Sequence, residues 1–239
     1  HLSLRRQRQM CIRDRTHIME HIGARKNPSS PQAPAAIIEQ LKSIPSALIS
    51  DNMRRLAGTS NLRPMYQGEQ LVGTAVTVRV RPGDNLAIHR AFDYCRPGDV
   101  MVIDGGGDTT QALMGEIMTT YARTIGIAGL VIDGAIRDVA GIREMGYPVF
   151  ARGATHKGPY KCGPGEINVP VSIDGLVINP GDIIVADEDG IVAFAQSEAS
   201  YLIEKALQQI QREQDTMTAI REGRYDRSWI DALEANSAG

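Results

Sequence analysis

Gly115-Glu116-Ile117-Met118 is followed along the chain by Ile127-Ala128-Gly129-Leu130-Val131-Ile132 and then by Asp133-Gly134-Ala135-Ile136-Arg137-Asp138. The first stretch predicts the start of a helix. The second is a short apolar run of the kind that forms a strand buried on both faces. Because Asp133-Gly134 predicts a tight turn, the order is helix, strand, turn and helix, which favours an α/β fold.

Two charged residues fall where the second of these helices is predicted to begin. Free backbone N–H groups and the helix dipole favour negative ligands at such a position. Arg137 would bind a carboxylate or an enolate oxygen, and Asp138 would hold a hard divalent cation such as Mg²⁺, which usually takes one or two protein carboxylates. An Arg-Asp pair at a helix start is also common as a solvated cap and ion pair, so the spacing alone leaves both interpretations open.

The same residues carry a family resemblance. Glu116, twenty intervening residues and then Arg137-Asp138 resemble the acidic-X20-Arg-Asp signature of the RraA-like family, the metal-dependent pyruvate aldolases related to the regulator of RNase E activity A. That family includes 4-hydroxy-4-methyl-2-oxoglutarate/4-carboxy-4-hydroxy-2-oxoadipate aldolases and oxaloacetate decarboxylases. The resemblance extends from about Ile37 to Ala195, two thirds of the chain, and includes further motifs: Arg96-Pro97-Gly98-Asp99, Asp104-Gly105-Gly106-Gly107-Asp108, Gly163-Pro164-Gly165-Glu166-Ile167-Asn168-Val169-Pro170-Val171 and Asn179-Pro180-Gly181-Asp182-Ile183-Ile184-Val185-Ala186-Asp187.

The resemblance implies a role for each matched position. Asp138 matches the residue that holds the divalent metal, Mg²⁺ or Mn²⁺, and Arg137 matches the catalytic residue that binds the substrate and stabilises the enolate oxygen. The loop and helix start that receive the pyruvate carboxylate on backbone N–H groups match Gly115, Glu116, Ile117 and Met118. Glu116 stands where many relatives have Asp, an acid that orders metal-bound waters and assists proton transfer. Its extra methylene changes its reach.

The chemistry explains why these residue types would be needed. Breaking a carbon-carbon bond next to a 2-keto acid leaves electrons that must be held as a pyruvate enolate. A chelated metal would act as a Lewis acid, Arg137 would add fixed positive charge, and a carboxylate or water would move the protons. The sequence therefore predicts a class II pyruvate aldolase acting on 4-hydroxy-4-methyl-2-oxoglutarate-type substrates. Oxaloacetate decarboxylation shares the enolate, so it stays open, as does another 2-keto acid as substrate.

A non-catalytic regulator of RNase E is the alternative of a different class. The family's namesake inhibits RNase E by protein contact, and the namesake group is expected to lack part of the acid, Arg and Asp set. This chain keeps all three residues at the matching spacing. The enzyme interpretation is therefore favoured.

Length and charge limit the remaining function classes. With 239 residues, 42% of them hydrophobic, the chain can bury a full core. We predict an N-terminal extension and linker over residues 1–35, poorly ordered, and a single RraA-like aldolase domain over residues 36–239. The first fifteen residues carry a net charge of +4 and the remainder carries −6, which argues against a nucleic-acid surface and leaves only an RNA-binding arm at the tail as an alternative. No apolar run approaches membrane-spanning length.

The remaining elements complete the predicted α/β domain. Three Pro-Gly-Asp sequences, at Pro82, Pro97 and Pro180, predict type II turns. The resemblance implies a layered swivelling β/β/α-type domain that assembles as a homotrimer or a dimer of trimers, with its active site completed at a subunit interface. Helices are predicted over residues 37–44, 46–56, 85–95 and 197–222, the last being a long C-terminal helix, and strands over residues 71–80, 100–103, 166–171, 175–178, 183–186 and 191–194.

Other side chains give weaker signals. The three cysteines are odd in number and far apart, which predicts free thiols in a reducing cytoplasm. His89 falls within an apolar helix pattern and is predicted to be packed, whereas His156 lies in a Gly-rich loop that is a candidate for approaching the substrate. Candidates for reaching a neighbouring subunit's metal waters lie on the terminal helix: Glu204, Glu213 and Glu222.

Overall fold

The computed structural model describes residues 21–237, so the basic tail and its alternative role as an RNA-binding arm lie outside the described residues. The helices are α1 (Ala35–Leu41), α2 (Ser46–Asn52), α3 (Leu86–Ala91), α4 (Glu116–Thr124), α5 (Val139–Met145), α6 (Ala199–Arg221) and α7 (Trp229–Ser237), with 3₁₀ turns at Phe92–Tyr94 and Gln196–Glu198. The strands are β1 (Arg63–Pro64), β2 (Leu71–Val80), β3 (Asp99–Asp104), β4 (Ala112–Met114), β5 (Gly129–Ile136), β6 (Val149–Ala154), β7 (Gly165–Ile167), β8 (Val171–Ile173), β9 (Leu176–Ile178), β10 (Ile183–Ala186) and β11 (Ile191–Phe194).

Within residues 21–237, nine strands form one sheet in the order β1-β6-β5-β3-β2-β10-β11, with β4 beside β5 and β7 beside β2. The strands β2, β3, β5 and β6 run parallel to one another. Strand β10 is antiparallel both to β2 and to β11. Strands β3 and β5 are buried along almost their whole length. Burial on both faces explains why their sequences are continuous apolar runs instead of alternating ones.

Apolar side chains join the sheet to layers on both faces. Helices α3, α4 and α5 pack on one face through Ile88, Met118 and Ile142, and the β8–β9 hairpin covers the other face. Helices α1, α2 and α6 pack against β10 and β11. These layers confirm the predicted α/β fold of the layered swivelling β/β/α type, and α6, with 23 residues, is the predicted long C-terminal helix.

The Pro-Gly-Asp turns have the backbone that the sequence predicts. The φ angles of their glycines are 75° at Gly83, 89° at Gly98 and 91° at Gly181, as the third position of a type II turn requires. Two of the turns lead into β3 and β10, and the turn at Pro82 leads into α3. The aspartate that ends each turn is buried, so the three turns place carboxylates inside the domain.

Strand β5 is longer than predicted. It continues to Ile136, so Asp133-Gly134 lies within the strand and the turn predicted there is wrong. The buried Asp133 carboxylate accepts hydrogen bonds from Arg152 and, at 3.0 Å, from the N–H of Asp174. Because these partners compensate the buried charge, the sheet accommodates the acidic residue.

Left-handed residues end two other elements earlier than predicted. The helix predicted over residues 46–56 ends at Asn52, and Arg54 and Arg55 each have a φ of 59°. The strand predicted over residues 166–171 is divided at Asn168, where φ is 54°. A left-handed backbone continues neither a right-handed helix nor an extended strand, so each residue closes its element.

The described part of the predicted linker runs along the domain. The N–H of Ile167 donates to the Arg25 carbonyl oxygen at 2.9 Å, and the N–H of Asn27 donates to the Ile167 carbonyl oxygen at 3.1 Å. Further along, the N–H of Ala33 donates to Oγ1 of Thr74 at 3.0 Å. This segment is therefore fixed beside β7 and β2, and the division of the chain at residue 36 stays a prediction.

Candidate functional site

Strands β4 and β5 end side by side, at the carboxyl end of the parallel strands. Strand β4 pairs in parallel with β5, and Met114 lies opposite Ile136. The N–H of Arg137 donates to the Met114 carbonyl oxygen at 3.0 Å. This pairing brings the segment that begins at Gly115 next to the segment that begins at Arg137, the two segments that the family resemblance assigns to one site.

The Asp138 carboxylate serves the neighbouring helix. Asp138 precedes α5, as predicted, and has a left-handed backbone with a φ of 59°. Its side chain makes no cap to α5; instead Oδ2 accepts a hydrogen bond from the N–H of Glu116, the first residue of α4, at 3.1 Å. Asp is one of the few residues that tolerate this backbone. The carboxylate therefore lies at the start of α4.

Gly115 permits this close approach. A Cβ at that position would overlap Oδ2 of Asp138 and would lie 3.0 Å from Cγ of Arg137. Nε of Arg137 is 3.6 Å from the same Asp138 oxygen, and the two side chains are 45% and 43% exposed. A guanidinium and a carboxylate thus share one site, and both remain accessible to a ligand.

The first turn of α4 adds hydrogen-bond donors. Its first intrahelical bond joins the N–H of Thr119 to the Gly115 carbonyl oxygen at 3.1 Å. The N–H groups of Ile117 and Met118 precede that bond and have no acceptor within the helix. With the dipole of a nine-residue helix behind them, these groups favour an anion.

A cavity of about 140 Å³ opens beside these groups. Of the residues proposed from the sequence, Glu116 does not line it, and the other five do: Gly115, Ile117, Met118, Arg137 and Asp138. The other lining residues were not proposed from the sequence: Asn85, His89, Leu113, Met114, Pro159 and Lys161.

Three of these additional residues are polar. Nδ2 of Asn85 donates to the Leu113 carbonyl oxygen at 3.0 Å, and its buried Oδ1 has no hydrogen-bond partner among the described residues. His89, predicted to be packed, is exposed and lines the cavity. Desolvation lowers the pKa of His89, and the charge of nearby Lys161 lowers it further. The sequence signal that could have identified Asn85 is its place directly before an apolar helix pattern, because asparagine is typical of a helix start.

A second, wider depression lies on the other side of the Arg-Asp pair. It has a volume of about 610 Å³ and is lined by Arg137, Asp138 and the His156 loop. The N–H of Thr155 donates to the Ile136 carbonyl oxygen at 2.9 Å, which fixes the loop to the end of β5. The two charged residues therefore stand between a narrow cavity and an open one, with His156 bordering the open one.

The Glu116 carboxylate packs against Gly141 of α5. A Cβ on Gly141 would lie 2.6 Å from Oε2 of Glu116. Gly141→Ala should therefore displace the carboxylate, while stability should be unchanged or higher because alanine is favoured over glycine inside a helix by about 1 kcal/mol. If Glu116 moves protons, as its family position implies, kcat should fall about tenfold with no fall in melting temperature, as a coupled assay and circular dichroism would show.

The matched control for this prediction is the same substitution without the carboxylate. In a Glu116→Ala background, Gly141→Ala has nothing to displace and should leave kcat unchanged. A tenfold fall in both backgrounds would show instead that Gly141 acts through the helix and not through Glu116.

The donor set beside the cavity fits a magnesium-type ion. Among the described residues, no three His, Cys, Asp or Glu side chains are grouped as ligands. Hydrogen bonds of the Asp138 carboxylate involve Oδ2, so Oδ1 faces no protein donor in the described part of the chain. One carboxylate with water ligands suits Mg²⁺ or Mn²⁺. Glu204 and Glu213 on α6, and Glu222 directly after it, do not line this subunit's narrow cavity, so a role for any of them in a neighbour stays a prediction.

The fold and the site together define a layered α/β protein in which a guanidinium, a carboxylate and the start of a helix border one small cavity. Comparison with known proteins gives the family. A model of the RraA-like family, described as Aldolase/RraA, matches residues 46–193. A protein of Halalkalibacterium halodurans described as "putative 4-hydroxy-4-methyl-2-oxoglutarate aldolase" is 43% identical over 176 residues, which are 73% of this chain and 84% of that protein. The chain belongs to the RraA-like family.

Solved structures agree with this assignment. An uncharacterised protein from Pseudomonas syringae pv. tomato has a TM-score of 0.72 and 29% identity, covering 81% of this chain and 96% of the other. RraAS2 of Streptomyces coelicolor, described as an unusual member of the RNase ES inhibitor RraA protein family, has a TM-score of 0.72 and 26% identity, covering 78% and 98%. The family thus includes both proteins described as aldolases and proteins described as RNase inhibitors.

None of the helices within residues 21–237 has the length and apolarity to cross a membrane.

Proposed function

We propose that the protein is a divalent-metal-dependent pyruvate aldolase that cleaves 4-hydroxy-4-methyl-2-oxoglutarate-type 2-keto acids. The observation that carries this proposal is the convergence of Arg137, Asp138 and the free N–H groups of the first turn of α4 on one small cavity. The 43% identity to a protein described as such an aldolase supports the choice of substrate class.

Asp138 would hold the metal through its carboxylate, which has an oxygen free of protein donors within the described residues. When bound, Mg²⁺ or Mn²⁺ supplies Lewis acidity to the keto oxygen and carboxylate of the substrate. The backbone N–H groups of Ile117 and Met118 would bind that carboxylate at the start of α4. Asp138 and the helix start therefore orient the 2-keto acid before its bond is broken.

The bond cleavage then needs two proton movements. The 4-hydroxyl group loses its proton, the bond between C3 and C4 breaks, and its electron pair moves into the keto group to form the pyruvate enolate. Arg137 would stabilise this negative charge as it develops on the enolate oxygen. The enolate takes a proton at C3 to become pyruvate, and the fragment that held the hydroxyl leaves as a second 2-keto acid. Because Glu116 does not line the narrow cavity, we assign the proton transfer to a water that its carboxylate orders.

The two depressions suit the two halves of such a substrate. The narrow cavity of about 140 Å³ fits a pyruvyl group, and Lys161 adds positive charge to its wall, whereas the lowered pKa of His89 disfavours the charged form of that imidazole. The wide depression leaves room for the departing half, with His156 at its border. Both halves would then meet at Arg137, where the bond is broken.

Oxaloacetate decarboxylation is a second activity that the same residues support. It also generates a pyruvate enolate, with carbon dioxide as the leaving fragment, so Arg137 and Asp138 would act in the same way.

The regulator alternative rests on relatives described as RNase inhibitors. It predicts no use for the accessible Arg137-Asp138 pair. We place the enzyme in the cytoplasm, as a homotrimer or a dimer of trimers, on the cysteine usage and the family resemblance.

The first test is pyruvate release from 4-hydroxy-4-methyl-2-oxoglutarate, coupled to lactate dehydrogenase. Release should require Mg²⁺ or Mn²⁺ and should stop on addition of EDTA, because EDTA removes the metal that Asp138 would hold and with it the Lewis acid of the proposed mechanism. Excess Mg²⁺ added after EDTA should restore it. Release that continues at the same rate in EDTA would contradict the metal-dependent mechanism, and no release with metal would move weight to oxaloacetate, to another 2-keto acid or to the regulator.

A further inference from the structure

Two walls of the narrow cavity come from distant parts of the chain. Asn85 immediately precedes α3 and His89 lies in its last turn, whereas Pro159 and Lys161 lie in the loop before β7. The cavity is small, about 140 Å³, so its fit to a ligand depends on the separation of these walls. Contacts that fix the loop to the start of α3 therefore set the shape of the site.

A buried carboxylate joins the two walls. Asp84 is fully buried, and its Oδ2 accepts hydrogen bonds from the N–H groups of Cys162 at 2.7 Å and Gly163 at 3.0 Å. Its Oδ1 accepts a hydrogen bond from the N–H of Leu86, the first residue of α3, at 3.0 Å. One side chain thus holds the loop and the helix start together, although it does not line the cavity itself.

Main-chain bonds run beside this carboxylate. The N–H of Asn85 donates to the Tyr160 carbonyl oxygen at 3.0 Å, and the N–H of Tyr160 donates to the Gly83 carbonyl oxygen at 2.8 Å. Nη2 of Arg81 lies 3.3 Å from Oδ2 of Asp84 and supplies countercharge. The Pro-Gly-Asp turn therefore presents both its backbone and its acid to the loop.

We propose that Asp84 is a positioning residue of the site: it holds the loop of Pro159 and Lys161 at the distance from His89 that a small 2-keto acid requires. The inference rests on the proposed function and adds a determinant of substrate binding to it. Asp84 acts through Lys161 and His89 and touches neither the ligand nor the reacting atoms.

The geometry requires a carboxylate and not an amide. Both oxygens of Asp84 accept from backbone N–H groups, and an amide keeps only one acceptor oxygen while its nitrogen donates. Asp84→Asn therefore sets an NH₂ group against the N–H of Leu86 or against those of Cys162 and Gly163. One of the two joints opens in either orientation.

The expected result of Asp84→Asn is a split between binding and turnover. KM for 4-hydroxy-4-methyl-2-oxoglutarate, and the dissociation constant for pyruvate measured by calorimetry with Mg²⁺ present, should rise about tenfold, the usual effect of one lost buried hydrogen bond. The turnover number should stay within about twofold, because Arg137 and Asp138 keep their own contacts.

The chain offers a matched control in another Pro-Gly-Asp turn. Asp182 is also buried, and its Oδ2 accepts a hydrogen bond from the N–H of Asn179 at 2.8 Å, but it does not line or border the cavity. Asp182→Asn should lower the melting temperature without changing KM. A rise of KM in this control equal to that of Asp84→Asn would overturn the proposal, since any loss of stability would then have the same effect.

A second variant keeps the test decisive if Asp84→Asn does not fold. Lys161→Met changes an exposed side chain and should raise KM and the pyruvate dissociation constant by itself; no change in either would overturn the proposal. Where both variants fold, KM of the double variant should rise no more than in the more affected single variant. Additive rises in KM would show that Asp84 does not act through Lys161 and would overturn the proposal. A wild-type protein that releases no pyruvate refutes the proposed function, while pyruvate binding then still tests Asp84.

Discussion

Asp138→Asn is expected to lower metal-dependent pyruvate release by about a thousandfold, which corresponds to the several kcal/mol that a metal Lewis acid contributes. The substitution removes the negative charge that would hold Mg²⁺ and keeps the shape of the side chain. Asparagine also tolerates the φ of 59° at this position, and its oxygen can still accept from the N–H of Glu116. The fold should therefore survive, and Mn²⁺ binding followed by electron paramagnetic resonance should be lost.

The control for this substitution is an exposed acid that the proposed chemistry does not use. Asp93 lies in the 3₁₀ turn after α3, its side chain is 61% exposed, and it pairs with Arg90. Asp93→Asn should leave activity and Mn²⁺ binding unchanged. Undiminished pyruvate release by Asp138→Asn would refute the metal assignment. If the loss of activity in Asp138→Asn were accompanied by a large fall in its melting temperature, Asp138 would be a structural residue.

The sequence predicted the centre of the site better than its walls. Gly115, Arg137 and Asp138 lie close to the strand pair β4–β5, so their meeting depends on one local unit whose apolar strand and helix starts are legible in the sequence. Strands β2, β10 and β11 were predicted with their observed bounds. Their strong apolar patterns and flanking turns explain this success.

The cavity walls depend on pairings between remote segments. Asn85 and Lys161 meet because Asp84 and the main chain of Tyr160 join two segments that no local pattern connects. The misplaced turn at Asp133 has the same origin. An acidic residue followed by glycine predicts a turn locally. Its burial in the sheet is tolerable because Arg152, on the neighbouring strand, and the N–H of Asp174 donate to the carboxylate. Partners that are distant in sequence therefore account for the missed residues.

Arg137→Met is expected to lower kcat about a hundredfold to a thousandfold, the usual effect of removing one donor that stabilises a developing oxyanion. The side chain is 45% exposed and its ion pair with Asp138 is long, at 3.6 Å, so the fold should be unaffected. The N–H of Arg137 donates to Met114 whatever the side chain is. Arg137→Lys should recover part of the activity, because it restores the charge but not the planar fork.

Two measurements separate the role of Arg137 from that of Asp138. Mn²⁺ binding should persist in Arg137→Met and disappear in Asp138→Asn, because only the carboxylate is a metal ligand. The rates of aldol cleavage and of oxaloacetate decarboxylation should fall by the same factor in Arg137→Met. Both reactions develop charge on the same enolate oxygen, and stabilising that charge is the role proposed for Arg137 in each. A fall confined to aldol cleavage would show that Arg137 instead binds the departing half, whose place is the depression bordered by His156.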